Sequence, residues 1–263
     1  YMTIFVNVVM VAVISVFVAK PDWSSTGVAA LAAAGLVGMI GGRHSSLRAI
    51  RFVGATRASV FINATPVVTA TLGWFVLDEP LGLVDALGGL LVVGSLVALI
   101  LRRSSAAAVA GQETDKPTHV LGYFFAVATP LLFGLAFVLR KWGLQSFDST
   151  VLGVLIGATT GLVFLSIGDV VRGRFRTRIN ENFRDINKWF VATGAAFSFA
   201  LISQFWALTL IPAWVYAVFQ STQVLWVIGL SYVFLKSEEQ IDATLIAATA
   251  AVAAGVVLIA VNL

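Results

Sequence analysis

Cysteine is absent from the 263 residues, which excludes disulfides and thiolate metal sites. Histidine is scarce: His44 and His119 stand apart, neither with further ligands at metal spacing. Charge is scarce as well, at 11% of residues against about a quarter in a water-soluble domain. Water therefore cannot be the main solvent of this surface. Apolar–polar alternation in segments of roughly ten residues, the mark of a transmembrane barrel, is missing. So are a Gly-rich phosphate loop ending in Lys, a His-Glu-x-x-His pair and a Gly-x-Ser-x-Gly elbow. ATP-driven pumping and intramembrane hydrolysis lack their chemistry. No cofactor is expected, and the protein is not expected to be an enzyme.

What the sequence has in abundance is apolar length: 59% of its residues are hydrophobic. Long apolar runs recur from end to end, the pattern of an all-α polytopic membrane protein. Breaker and polar clusters divide them into nine expected spans, at 1–18, 26–42, 57–77, 83–101, 119–140, 149–168, 189–208, 213–235 and 242–262. The stretch 102–118 (RRSSAAAVAGQETDKPT) reads as a linker. With nine spans, Lys20, Arg140 and Lys141 fall on one side and every other basic residue of the 17 on the opposite side. The positive-inside rule makes that second side cytoplasmic, with basic loops at 43–57, 102–118 and 169–188, in a plasma (inner) membrane. The net charge of +4 is then a property of these loops. The run RGRFRTRINENFRDINK (172–188) reads as touching lipid headgroups. It holds only Phe175 and Phe183 for base stacking, so nucleic acid is not an expected partner.

The chain repeats itself. AIRFVGATRASVFINATPVVTATLGWFVLDEPL (49–81) aligns with ALTLIPAWVYAVFQSTQVLWVIGLSYVFLKSEEQI (207–241), pairing Ala55 with Ala213, Val60 with Val218, Phe61 with Phe219, Leu72 with Leu230 and Leu77 with Leu235. Acidic stops follow in both, Glu79 against Glu238 or Glu239, and then a last span with a late glycine, Gly94 and Gly255. Internal duplication in a helical membrane protein is characteristic of transporters. The residues Ala58, Asn63, Pro66, Gly73, Trp74, Glu79, Pro80 and Gly94 resemble the EamA-like branch of the drug/metabolite transporter superfamily. In that family a fourth helix carries a mid-helix proline and ends on a Gly-Glu-Pro-like stop. The second copy departs from this at Val224 and at KSEEQ. GYFFAVATPLLFGLAFVLRKWGL (122–144) looks like the family's repeat-opening helix, with Lys141 in place of its late basic residue. The resemblance implies two repeats of five helices. Nine of an expected ten are present: 1–101 forms a first repeat lacking its opening helix, 102–118 the linker and 119–263 the second repeat. It also implies both termini in the cytoplasm, which sets the 172–188 loop outside. The charge count sets that loop inside, and this is the orientation adopted here.

Polar groups within spans are costly in hydrocarbon and should face a cavity or a partner. Tyr216, Gln220 and Gln223 fall at helical spacing on one face, and Gln204 lies on a third wall beside Ser203 and Trp206. Two glutamines of this kind also serve as glue between helices. Ser59, Asn63 and Pro66 share a face in the matching span, where Pro66 frees the Ile62 carbonyl for a solute or simply bends the helix. Arg140 and Lys141 are expected to end the fifth span, snorkelling to the interface or forming a positive mouth for an anionic group. Glycine stripes (Gly153, Gly157, Gly161; Ala34, Gly38, Gly42) read as packing seams. Asp78 and Glu79 are expected to favour the N-terminus of the following helix. No acidic residue falls in mid-span, so a buried-carboxylate proton relay is not visible. The expected activity is secondary transport of small organic metabolites by alternating access, with a small-molecule substrate and membrane lipids as partners. A homodimer, a nucleotide-sugar or sugar-phosphate exchanger and a non-transporting membrane interaction protein stay open as alternatives.

The charge count yields a first prediction. These 263 residues hold no cysteine, so Arg176→Cys introduces a single labelling site among them. In intact cells an impermeant maleimide should leave it unmarked until the membrane is permeabilised. Strong labelling of intact cells would reverse the orientation.

Overall fold

The computed structural model describes residues 2–18, 23–109, 120–177, 180, 188–223, 225–226, 229–230 and 243–262. The basic residues Lys20, Lys116, Arg178, Arg184 and Lys236, the bulk of the linker and the KSEEQ stop lie outside them. All regular elements among the described residues are helical. They are α1 (Met2–Ser15), α2 (Ser25–Gly35), a π-helical segment (Leu36–Gly42), α3 (Arg43–Val53), α4 (Ala55–Ile62), α5 (Thr65–Leu77), α6 (Leu83–Val109), α7 (Val120–Ser146), α8 (Thr150–Val171), α9 (Lys188–Leu210), α10 (Ala213–Ser221) and α11 (Ala243–Asn262). Among the described residues, six helical stretches are long and apolar enough to cross a membrane. α1 and α11 hold shorter apolar helices, Thr3–Ser15 and Ile246–Ile259. Phe75, Phe164, Phe199 and Trp206 stand exposed on outer faces, as side chains do when the solvent is hydrocarbon.

Three sequence expectations are corrected. Helix does not stop at Gly42. It runs from Ser25 to Val53 through the π-helical widening, because Gly41 and Gly42 tolerate the wider turn. The expected basic loop 43–57 is therefore largely α3, whose Ser45, Ala49 and Val53 form a buried stripe while Arg43, Arg48 and Arg51 are exposed. The expected 57–77 span is two helices. α4 ends at Ile62, a turn at Asn63–Ala64 follows, and Pro66 sits in the first turn of α5, where its missing N–H costs nothing. The fifth helix does not end at Arg140 but continues to Ser146. Gly143 lets it pass close to Leu31 and the Gly27 carbonyl of α2.

The chain forms two compact units, each drawing on both sequence repeats: Tyr1–Gly41 with Leu135–Leu210, and Gly42–Gly134 with Ile211–Leu263. In the first unit α1 packs on α8 and α9, and α2 packs on α8. The tightest seam joins α2 to α8, where a Cβ on Gly35 would fall 2.3 Å from the Gly157 carbonyl oxygen. The glycine stripe of α8 also meets other elements, Gly153 against Phe205 of α9 and Gly161 against Met39 of the π-helical segment. Asn7, fully buried in α1, donates from its amide to Ser198 of α9 at 3.0 Å, and the Ser198 hydroxyl donates onward to the Gly194 carbonyl.

The second unit is built on α6. Its Val92 and Leu96 meet Trp214, Val215 and Val218 of α10 and Val252 and Ile259 of α11. A smaller cluster joins Ala49 and Val53 of α3, Ala58 of α4 and Ala126 of α7. The repeat is visible here in the backbone. Aligned residues Ala55 and Ala213 open α4 and α10, and both helices break after two turns, at Asn63 and at Thr222.

The α2–α8 seam predicts an asymmetry. Gly35→Ala must push backbone away from backbone and should destabilise by about 1–3 kcal/mol, the usual range for overpacking. A Cβ on Gly157 meets only ordinary contacts, 3.5 Å from the Leu31 carbonyl oxygen, so Gly157→Ala should be nearly neutral. Thermal unfolding of the two variants in detergent checks this, and equal losses would show that the seam is looser than described.

Candidate functional site

In the first unit the most polar centre is Arg140. It lies inside α7 and inside the apolar stretch Val120–Ser146, only 8% exposed. A charged side chain at membrane depth costs about 2.5–3.5 kcal/mol on insertion scales, so its surroundings matter. Nη1 donates to Oε1 of Gln204 on α9 at 2.9 Å. The guanidinium carbon lies 5.6 Å from the ring centroid of Phe137 and 5.4 Å from that of Phe205, within cation–π range. Phe137 precedes Arg140 by one turn of α7, and Phe205 follows Gln204 on α9, so two helices supply both the rings and the amide. Gly38, in the π-helical segment, completes the setting. A Cβ there would lie 3.2 Å from Arg140 Nη2 and 3.0 Å from the Ala136 Cβ.

Sequence reading placed Arg140 at a helix end and so missed this centre. Gln204, singled out as one wall, is buried and is the partner of Arg140. Lys141 belongs to the same unit but is half-buried and points away from Arg140 by the turn between adjacent helical residues.

The other predicted residues belong to the second unit. Asn63 is buried, yet its amide donates to the Ser59 carbonyl of its own helix at 2.8 Å. The Ile62 carbonyl that Pro66 frees is not open to a solute, because the Thr65 hydroxyl donates to it. Thr69 likewise bonds back to the Thr65 carbonyl, the common fate of Thr in such helices. Tyr216 and Gln220 are half-buried on α10, but α10 ends at Ser221 and Gln223 lies beyond the break, exposed. The face expected to hold all three is therefore interrupted. Two polar atoms of α10 are buried without a hydrogen-bond partner, Gln220 Oε1 and Trp214 Nε1. Pro66 and Trp214 line an apolar cavity of about 630 Å³ with Ala70, Trp74, Asp85 and Gly89.

Glu79 has a role the sequence did not reveal. Asp78 takes the left-handed conformation (φ 52°) at the end of α5, and the Glu79 N–H returns to the Gly73 carbonyl at 3.2 Å. The Glu79 carboxylate is buried and accepts the Ala213 N–H at 2.8 and 3.0 Å through its two oxygens. It therefore caps α10, the repeat partner of α4, and not the helix that follows it. That helix, α6, is capped instead by Asp85, whose carboxylate accepts the Gly82 N–H at 3.3 Å. Pro212 precedes α10 and brings no side-chain cap of its own, so the first N–H would otherwise be an orphan in an apolar setting. Gly73 makes room: a Cβ there would stand 2.8 Å from Glu79 Oε2. Among the described residues no group of three His, Asp or Glu side chains is placed to hold a metal ion.

A model of the EamA-like transporter family matches residues 1–101 and 120–261. No curated protein matches the sequence. A protein of known crystal structure shares the fold over 99% of this chain and 86% of its own, at a TM-score of 0.68 and 13% identity. At that identity the likeness is one of fold alone.

Capping by Glu79 predicts that Glu79→Ala leaves the Ala213 N–H unsatisfied and lowers stability by about 1–3 kcal/mol. Glu79→Gln, which keeps an acceptor of similar reach, should recover part of the loss. Thermal unfolding of both variants decides, and an unaltered midpoint for Glu79→Ala would remove the cap from the account.

Proposed function

Because the chain belongs to the EamA-like transporter family, whose members are integral membrane transporters and not enzymes, we propose that it is a secondary transporter of small organic metabolites. The solutes are amino-acid-like or amphipathic, and they cross the plasma (inner) membrane by alternating access. The observation that carries this reading is hydrogen-bonding capacity left over in an apolar scaffold. Asn7 Oδ1, Trp214 Nε1 and Gln220 Oε1 are buried without partners. Each such atom costs free energy unless something arrives to bond it, and in a transporter the solute is what arrives.

The path of the chain supports a rocking mechanism. It passes from unit to unit at Gly41–Gly42, at Gly134–Leu135 and at Leu210–Ile211. These crossings fall in the π-helical segment, shortly after the helix-interior Pro130 and just before Pro212. At Gly41–Gly42 and Leu210–Ile211 regular α-helical bonding is already interrupted, and Gly134–Leu135 lies one turn beyond a proline that lacks its N–H. Exchange of nucleotide sugars or sugar phosphates is less well supported. It calls for several interior cations, and among the described residues Arg140 is the one buried basic side chain.

Proteoliposome flux against a panel of radiolabelled metabolites tests the reading, and failure of every solute to accumulate by counterflow would reject it. Gln220→Leu then provides a residue-level prediction. Loss of one hydrogen bond, about 0.5–1.5 kcal/mol, should raise the half-saturating concentration several-fold with membrane abundance unchanged. If Gln220 is glue between helices, abundance falls and affinity stays.

A further inference from the structure

We propose that α3 is a docking face for anionic phospholipid headgroups, in the leaflet that its end of the Ser25–Val53 helix reaches. The inference does not rest on the transport reading. Helix length comes first. The stretch has 29 residues, a path of about 43 Å at ~1.5 Å per residue, whereas the hydrocarbon of a bilayer is about 30 Å thick. Its start is marked by a polar and an aromatic residue. Ser24 caps α2, and Trp23 beside it is exposed, as tryptophans are at a membrane interface. About 20 residues from there cross the hydrocarbon, which brings the far boundary to about Ser45. Most of α3 lies beyond it, at headgroup depth.

The side chains of α3 suit that depth. Ser45, Ala49 and Val53 form its buried face. Arg43, Leu47, Arg48, Ile50 and Arg51 are exposed, and at helical spacing they fill one arc of about 160° on the other side. Leu47 is 59% exposed and Ile50 37%. Apolar side chains set among cations let a helix rest on the acyl boundary with its arginines among the phosphates. A water-soluble acidic partner would use the arginines and leave Leu47 idle. No carboxylate of the chain answers these cations. The sequence holds no Asp or Glu between Asp22 and Asp78, and among the described residues none is ion-paired with Arg43, Arg48 or Arg51. Arg48 has a ring partner instead. Its guanidinium carbon lies 5.0 Å from the Phe125 centroid, and Phe125 stacks on Phe52 at 6.4 Å. The ring steadies the cation without neutralising it. An arginine fork matches two oxygens of a phosphodiester. Phosphatidylglycerol presents that group with a net negative charge, whereas phosphatidylcholine offsets it with its own ammonium.

The test uses the whole chain in detergent, with dioctanoyl phosphatidylglycerol and dioctanoyl phosphatidylcholine as probes. Phosphatidylglycerol should raise the midpoint of thermal unfolding at the lower concentration, and its advantage should shrink in high salt. Arg51→Gln should raise the half-saturating concentration of phosphatidylglycerol about fivefold, the worth of one cation near an anionic surface, and leave that of phosphatidylcholine in place. Arg43→Gln, Arg48→Gln and Arg51→Gln together should remove most of the preference, and Lys at the same three positions should keep most of it. Arg51→Gln alone keeps the test decisive if the triple variant does not fold. Arg172→Gln, Arg174→Gln and Arg176→Gln together remove as much charge from another basic stretch and should cost far less of the preference. Leu47→Ser should weaken both lipids alike. Equal action of the two lipids, or a preference untouched by the three Gln substitutions in α3, overturns the proposal. So do equal losses from the two triple variants, which would assign the effect to bulk charge. Glycerol phosphate carries the anion without acyl chains and should not protect. If it protects as well as phosphatidylglycerol does, the occupant is a soluble anion and lipid docking is rejected. Flux is not among the readouts, so the result stands apart from the transport reading.

Discussion

In hydrocarbon a polar group has only the protein to bond to, and this constraint shapes the chain at every level. It forces the backbone into helices, whose bonds are internal. It turns hydroxyls back on their own helices: Thr69 to Thr65, Thr129 to Phe125 and Ser221 to Ala217 all bond a carbonyl one turn earlier. The groups that cannot be satisfied locally become ties between helices. Asn7 holds α1 to α9 through Ser198, Gln204 holds α9 to α7 through Arg140, and Glu79 holds the end of α5 to the start of α10. Apolar packing fills the space between these ties. Because side chains are apolar on both their lipid and their protein faces, packing alone discriminates weakly between partner helices. The few polar ties and the glycine contacts supply much of that discrimination.

This explains what was legible in the sequence. Apolar length marks spans, and the 55–77 and 213–235 alignment marks a duplication, because both are properties of one stretch read along itself. The all-α polytopic fold follows from them. The π-helical continuation at Gly41–Gly42 was not legible. Arg43, His44, Ser45 and Ser46 read as a stop, yet their polarity is spread around a helix with a buried Ser45–Ala49–Val53 stripe. The same blindness moved the end of α7 from Ser146 to Arg140. A single charge was taken for an interface, although the helix beyond it still had Gly143 and Leu144 to bury.

The candidate site was less legible for a physical reason. Helical spacing tells which residues of one helix share a face, and it placed Tyr216 with Gln220 correctly on α10 while missing the break before Gln223. It does not tell which other helix that face meets. Arg140 and Gln204 are separated by 64 positions, Glu79 and Ala213 by 134, Asn7 and Ser198 by 191. Nothing in the neighbourhood of any of these residues names its partner. Gly73 is the nearest thing to a signal: a glycine one turn and a half before Glu79 is where a folded-back carboxylate needs room.

Glu79 and Arg140 are the buried charges among the described residues, one in each unit, and their ties differ in kind. The Glu79 carboxylate binds a backbone N–H at the start of a helix. That donor cannot turn away without unwinding α10, and the helix dipole adds to its hold. Such a bond suits a permanent joint. The Arg140 guanidinium binds a side-chain amide, which can rotate about its own torsions at modest cost. The rings of Phe137 and Phe205 attract the cation without fixing a single bond direction. A tie of this second kind can exchange partners while the helices stay in place. The chemistry of the partner, more than the presence of the charge, separates the two ties.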